Sequence, residues 1–183
     1  MTTIIAIEHA SGVTFGSDSQ MTSGSSSYES AVSKTFQNGP ATIGVCGYLL
    51  YANALRYAAI PEVDTWDADR WMVRTFVPAV IDAMQTVRMA DIKDPGGHPN
   101  NGSGAIVAVA GRAYALGPDL SVTRHADGVY VDGSGGKYAR GALDVLQTMD
   151  DLSVEDRIRR ALDVAATHDV YTSAPMHVIE ATP

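Results

Sequence analysis

Hydrophobic and polar positions along the chain fall into blocks of two periods. Residues 2–7 (TTIIAI) and 12–17 (GVTFGS) are short β-branched runs joined by a turn at 9–12, which predicts a hairpin at the start. Residues 21–30 are rich in serine and read as an exposed loop. Residues 34–37 and 41–46 then predict a second strand pair around the turn Asn38-Gly39-Pro40. A helix is expected over 48–60, stopped by Pro61. After Asp64-Thr65, which can cap a helix, apolar residues recur at Val73, Phe76, Val77, Val80, Ile81, Met84 and Val87. That spacing predicts an amphipathic helix kinked at Pro78, its methionine and aromatic stripe packed into the core.

The remainder repeats the pattern. Residues 94–104 (DPGGHPNNGSG) read as a flexible loop, and strands resume at 105–110, 112–116, 121–124 and 128–132. Two further helices follow, one over 137–149. The other starts at Ser153, with Asp156 in a capping-box-like position and Val154, Ile158, Leu162 and Ala165 facing inward. A strand at 176–180 closes the chain. Meandering hairpins predict antiparallel sheets, and helices arriving in pairs predict two helical layers. The fold expected is α+β: a four-layer αββα sandwich of two antiparallel sheets flanked by helices. With neither an internal repeat nor a linker, residues 1–183 are expected to form one domain.

Composition narrows the class of function. Among 183 residues, 13 Lys and Arg face 21 Asp and Glu for a net charge of −8, which disfavours nucleic acid or an anionic membrane as partner. A hydrophobic content of 45% with 19% charged residues is too apolar for a disordered chain. No apolar run approaches the roughly 18 to 20 residues of a membrane span, and the first residues carry no basic region like that of a secretory signal. A cytoplasmic location is expected. Cys46 is the single cysteine, so neither an internal disulfide nor a cysteine-based zinc cluster can form. His9, His98, His125, His168 and His177 show no metal-ligand spacing. The segment Gly133-Ser-Gly-Gly-Lys137 suggests a phosphate loop but fails G-x-x-x-x-G-K-[ST] at Val131 and at Tyr138.

The second residue carries the sharper chemistry. An initiator methionine before a small residue such as Thr2 is normally trimmed, leaving a hydroxyl beside an α-amine of pKa roughly 7.7 to 8.0, a base that works near neutral pH. The beginning TTIIAI is followed by Gly16-Ser-Asp-Ser19, by Lys34 and by Val45-Cys-Gly-Tyr48. In this order the motifs resemble the β-type proteasome subunits. Asp132-Gly-Ser-Gly-Gly-Lys-Tyr-Ala139 is similar to the GSGG segment of the bacterial peptidase HslV. Ala161-Leu-Asp-Val with Val170-Tyr-Thr172 is similar to its ALD…YT segment. The resemblance runs from Thr2 to about Glu180. Only three lysines occur against ten arginines, so a lysine at the family's offset is informative.

The resemblance implies a threonine endopeptidase of the N-terminal-nucleophile (Ntn) hydrolase type. Thr2 matches the nucleophile, and Lys34 the lysine that lowers the pKa of its hydroxyl. Asp18 matches the carboxylate paired with that lysine, and Gly47 the glycine whose N–H forms the oxyanion hole. Ser134 matches the serine near the terminal amine, with Asp169 and Thr172 supporting it. Backbone carbonyls of Ala166, Asp169 and Thr172 match a monovalent-cation site, a structural sodium, with no other cofactor implied. Met21, Val32, Phe36 and Cys46 match the pocket for the residue before the cut bond, which predicts cleavage after hydrophobic residues. One departure is Ser173, where relatives carry Gly or Asn.

The resemblance further implies a homo-oligomeric ring or stacked rings acting on unfolded polypeptide, served by an ATP-driven unfoldase. Two alternatives remain open. One is a catalytically silent structural subunit, should Met1 be retained and its peptide bond occupy the amine. The other is an Ntn amidase acting on small amides.

Overall fold

A computed structural model describes residues 2–63, 67–89 and 102–181. The chain opens with the expected hairpin, β1 (Thr3–His9) and β2 (Gly12–Ser17). Next comes an exposed ribbon, β3 (Gln20–Ser23) and β4 (Ser26–Glu29), in the stretch read from sequence as a loop. The ribbon turns at Gly24, and every residue of β4 is exposed. Two strands with almost no buried face produce no apolar alternation, so serine content alone misled the reading.

Further along lie β5 (Thr35–Asn38), β6 (Ala41–Cys46), β7 (Gly104–Val109), β8 (Arg112–Leu116), β9 (Val122–Thr123), β10 (Val129–Gly133) and β11 (His177–Glu180). One antiparallel sheet has the order β10-β1-β2-β11, and the second runs β5-β6-β7-β8-β9. Strand alternation divides the core into three layers. On β1, Ile4 and Ala6 face the second sheet, together with Phe15, Ile106, Ala108 and Tyr130. Ile5 and Ile7 point the other way, onto α4 (Gly136–Leu146) and α5 (Val154–His168), against Leu143, Ile158 and Leu162. Ala41, Ile43 and Val45 of β6 likewise cover the outer face of the second sheet, beneath α1 (Leu49–Arg56), α2 (Ala68–Trp71) and α3 (Val77–Thr86). The architecture is the α+β sandwich, helices on both outer faces of two antiparallel sheets.

The central helix departs from its expected geometry. Its N-cap is Asp67, whose carboxylate accepts the Arg70 N–H, while Asp64 and Thr65 lie outside the described residues. Between α2 and α3, Met72–Phe76 form a π-helical turn in which the Val77 N–H reaches back to Met72 O. Pro78, with no N–H, stands at the start of α3. The wider turn holds an extra residue and rotates the apolar face. Trp71, Met72, Phe76, Val80 and Met84 are buried, whereas Val73, expected inside, is 57% exposed. Of the expected loop 94–104, residues 94–101 lie outside the described residues, and Gly104 already opens β7. Among the described residues no helix is long and apolar enough to cross a membrane.

Candidate functional site

The loop leaving β2 carries Asp18 into a fully buried position. A buried carboxylate must be satisfied, and three donors meet this one. Asp18 Oδ1 accepts the Thr3 backbone N–H at 2.9 Å and the Lys34 ammonium at 2.8 Å, and Oδ2 accepts the Gln20 N–H at 2.9 Å. Lys34, immediately before β5, is 13% exposed along its side chain. Burial depresses its pKa below the ordinary lysine value, and the Asp18 charge and hydrogen bond counter that shift. Asp18 thereby joins Lys34 to the backbone of the residue that follows Thr2.

Thr2 is 5% exposed and opens onto a cleft of about 940 Å³ that Lys34 and Gly47 also line. Gly47 has φ +103°, and a Cβ there would lie 2.6 Å from Ser103 Cα, so only glycine fits. Ser103 also holds the next residue, accepting the Tyr48 N–H at 2.9 Å. Of the expected pocket residues, Met21, Val32 and Cys46 line this cleft. Phe36 does not. It is 7% exposed in the core under α1, on the face of β5 opposite Thr35, and the Arg56 guanidinium lies 3.9 Å over its ring. Tyr48, Leu49 and Arg56 form wall that the sequence reading missed. Tyr48 and Leu49 are 58% and 60% exposed, and an apolar pair opening a helix without facing the core is the signal that could have revealed them.

A second carboxylate anchors the other side. Asp169 stands at the C-terminal cap of α5, its N–H bonded to Ala165 O. Its Oδ2 accepts hydrogen bonds from Ser134 Oγ at 2.7 Å and Thr172 Oγ1 at 2.6 Å. Thr172 has then committed its proton, so in the 2.6 Å contact between Thr3 Oγ1 and Thr172 Oγ1 the Thr3 hydroxyl donates. Ser134 Oγ also approaches Thr2 O at 3.5 Å. Gly133 has φ +92°, and a Cβ there would sit 1.9 Å from Thr2 O, so the GSGG turn lies flat against the Thr2 carbonyl. Thr3 is thus held by its backbone to Asp18 and by its side chain to the Asp169 cluster, a role the sequence reading missed. At the departure, Ser173, the backbone carbonyl accepts the Ser19 N–H at 3.3 Å.

The structure therefore gathers Thr2, Lys34 and Gly47 about the cleft, with Asp18 buried behind Lys34 and with Ser134, Asp169 and Thr172 behind Thr2. Ala166 lies in the last turn of α5, close in sequence to Asp169 and Thr172, and the Asp169 carbonyl accepts the Thr172 N–H at 3.1 Å.

No model of a known protein family matches the sequence. Solved structures do match its fold. BPH of Thiobacillus denitrificans superposes with a TM-score of 0.79 at 16% identity, and in complex with Epoxomicin with 0.75 at 17%, over 100% of both chains in each case. HslV from Trypanosoma brucei gives 0.68 at 23% identity over 98% of this chain and 99% of that one. The helical Anbu assembly of Pseudomonas aeruginosa gives 0.69 at 17% identity over 98% and 80%. The chain has the αββα fold of the proteasome-like Ntn structures.

Proposed function

We infer that this chain is a threonine endopeptidase with Thr2 as its N-terminal nucleophile. The observation that carries the reading is the Lys34–Asp18 pair, 2.8 Å apart, with Lys34 lining the same cleft as Thr2 and Gly47. An ammonium held largely out of water favours a neighbouring alkoxide more strongly than a solvated one does. Once Met1 is removed, the neutral Thr2 amine takes the hydroxyl proton and the oxygen attacks a peptide carbonyl. The Gly47 N–H stabilises the resulting oxyanion. Collapse releases the new amine, which takes up the proton, and leaves an ester on Thr2 that water hydrolyses. Ser134 and the Asp169 cluster hold the Thr2 backbone during these steps. Met21, Val32 and Cys46 favour an apolar side chain before the cut bond.

By the same resemblance, the backbone carbonyls of Ala166, Asp169 and Thr172 would hold a structural sodium that braces the loop carrying the Asp169 cluster. The working form is a cytoplasmic ring or stack of rings of this chain, fed unfolded polypeptide by an ATP-driven unfoldase. The helical assembly of Anbu and the likeness to HslV support an oligomer.

Intact mass spectrometry of the purified protein, followed by hydrolysis of a fluorogenic peptide with an apolar residue before the cut bond, tests the reading. The expected mass lacks Met1, and Thr2→Ala abolishes turnover while leaving fold and assembly unchanged. Undiminished hydrolysis by Thr2→Ala would overturn the assignment. Retained Met1 with no turnover would favour the silent subunit, and turnover confined to small amides the amidase.

A further inference from the structure

Asp132 stands where an apolar residue is expected. It follows Val129, Tyr130 and Val131 on β10 and shares the parity of Tyr130, which packs between the two sheets. Its cross-strand partner is Ile4, two residues beyond Thr2. Across the gap, Cys46 and Gly104 are paired in the second sheet. Asp132 reaches both: a Cβ on Gly104 would lie 2.1 Å from Asp132 Oδ2 and 3.6 Å from Cys46 Sγ. Glycine at 104 makes the room for this carboxylate. Asp132 Oδ2 and Cys46 Sγ thus lie side by side against Gly104, and the Cys46 thiol donates to Gly104 O at 3.7 Å. The other carboxylate oxygen accepts the Gly133 N–H at 2.6 Å.

Each partner borders a loop of the candidate site. Cys46 directly precedes Gly47, and Asp132 directly precedes Gly133, which packs on the Thr2 carbonyl. We propose that Asp132 and Cys46 are positioning residues, their contact across the sheets setting the distance between the Gly47 loop and the loop that seats Thr2. The proposal rests on the reading of the cleft as a hydrolytic site. A misplacement on the order of 1 Å between nucleophile and oxyanion donor costs up to about a hundredfold in rate, so a contact that fixes this distance acts on kcat. Burial, with the neighbouring Asp132 charge, also pushes the thiol pKa well above its usual value.

Two measurements on the whole chain test this. Cys46 is the single cysteine, so iodoacetamide at pH 8 reports on this thiol alone. Asp132→Asn keeps an acceptor for the Gly133 N–H and removes the charge. It should therefore raise the alkylation rate about tenfold, the change in thiolate expected from one pKa unit. Equal rates in the variant and the parent would overturn the contact, whether or not the chain cleaves peptides. In the second measurement, Cys46→Ala and Asp132→Ala should each lower kcat about tenfold, and Asp132→Ala, which lies outside the cleft wall, should change KM less than about twofold. The double variant should be no slower than the slower single one, and Cys46→Ser should recover most of the loss. Parental kcat in both single variants, or losses that multiply in the double, would overturn the positioning role. Retained turnover in Thr2→Ala would remove the reading of the site while leaving the alkylation result standing, so the two failures are distinguishable.

Discussion

Asp18 and Asp169 flank the same two residues and do different work. Asp18 is fully buried and neutralises an ammonium while accepting two backbone N–H groups. Asp169 is half-buried and gathers hydroxyls, those of Ser134 and Thr172, with Thr3 donating to the latter. The first cluster places charge in the cleft; the second places backbone. Removing the ammonium should therefore cost rate out of proportion to stability, and removing a hydroxyl should cost both modestly.

The largest expected effect follows from Lys34. Lys34→Ala should lower kcat for peptide hydrolysis by about a thousandfold, the upper end of what one preorganised electrostatic group supplies. Asp18→Ala leaves that ammonium buried without its partner and should destabilise the chain by about 3 kcal/mol in urea unfolding, with activity lost as well. A Lys34→Ala variant with more than about a tenth of parental kcat would place Asp18 and Asp169 in the same, purely architectural role.

The pH dependence separates chemistry from stability at the same residue. Burial holds the Lys34 pKa below 10.5. As pH rises through the depressed folded value, Lys34 loses its proton and peptide hydrolysis should fall. Between that value and 10.5 the unfolded chain holds the proton and the folded chain does not. The contribution of this group to stability therefore rises with pH across the window where activity declines. Comparing urea midpoints of the parent and Lys34→Met across this alkaline range isolates the contribution. A parent that loses stability relative to the variant as pH rises would show that the sign is wrong.

A smaller effect is expected behind Thr2. Thr172→Val keeps the shape of a residue that is 3% exposed and removes a hydroxyl bonded to both Asp169 and Thr3. The expected loss is about 2 kcal/mol in urea unfolding, with kcat down about tenfold and KM nearly unchanged. A rate loss rivalling that of Lys34→Ala would give the Asp169 cluster a direct part in the chemistry.

The two clusters also differ in how far the sequence discloses them. Asp18, Lys34 and Gly47 stand at recognisable offsets from Thr2, Ser134 and Thr172 fall within motif segments, and Asp169 directly precedes one, so the resemblance made their meeting at one place legible. Thr3 was not, because its importance lies in a backbone N–H and a hydroxyl whose partners are 15 and 169 residues away. Phe36 was misplaced because offset alone does not state which face of β5 a residue occupies. Asp132 left a readable signal, a carboxylate at an inward position of an apolar strand, but its partners come from another sheet. The layers were legible from alternation and helical spacing. The π-helical turn at Met72–Phe76 was not, since the helical period carries no mark of an inserted residue.

The smallest effect sharpens the contrast most. Asp169 is delivered by α5, whose N-terminus is capped far from the cleft, Ser153 Oγ accepting the Asp156 N–H at 3.0 Å and donating to its carboxylate at 2.7 Å. Ser153→Ala removes this cap and should lower stability by about 1 kcal/mol, read as a shift in the urea midpoint. If the hydroxyl cluster itself sets the position of Asp169, kcat and KM stay within about 20% of the parent, because the folded population retains every contact around Thr3. A fall in kcat under conditions where the variant is fully folded would mean that Asp169 is positioned by the rigidity of the whole helix. The Asp169 cluster would then be an extension of the α4–α5 layer, while Asp18 belongs to the cleft.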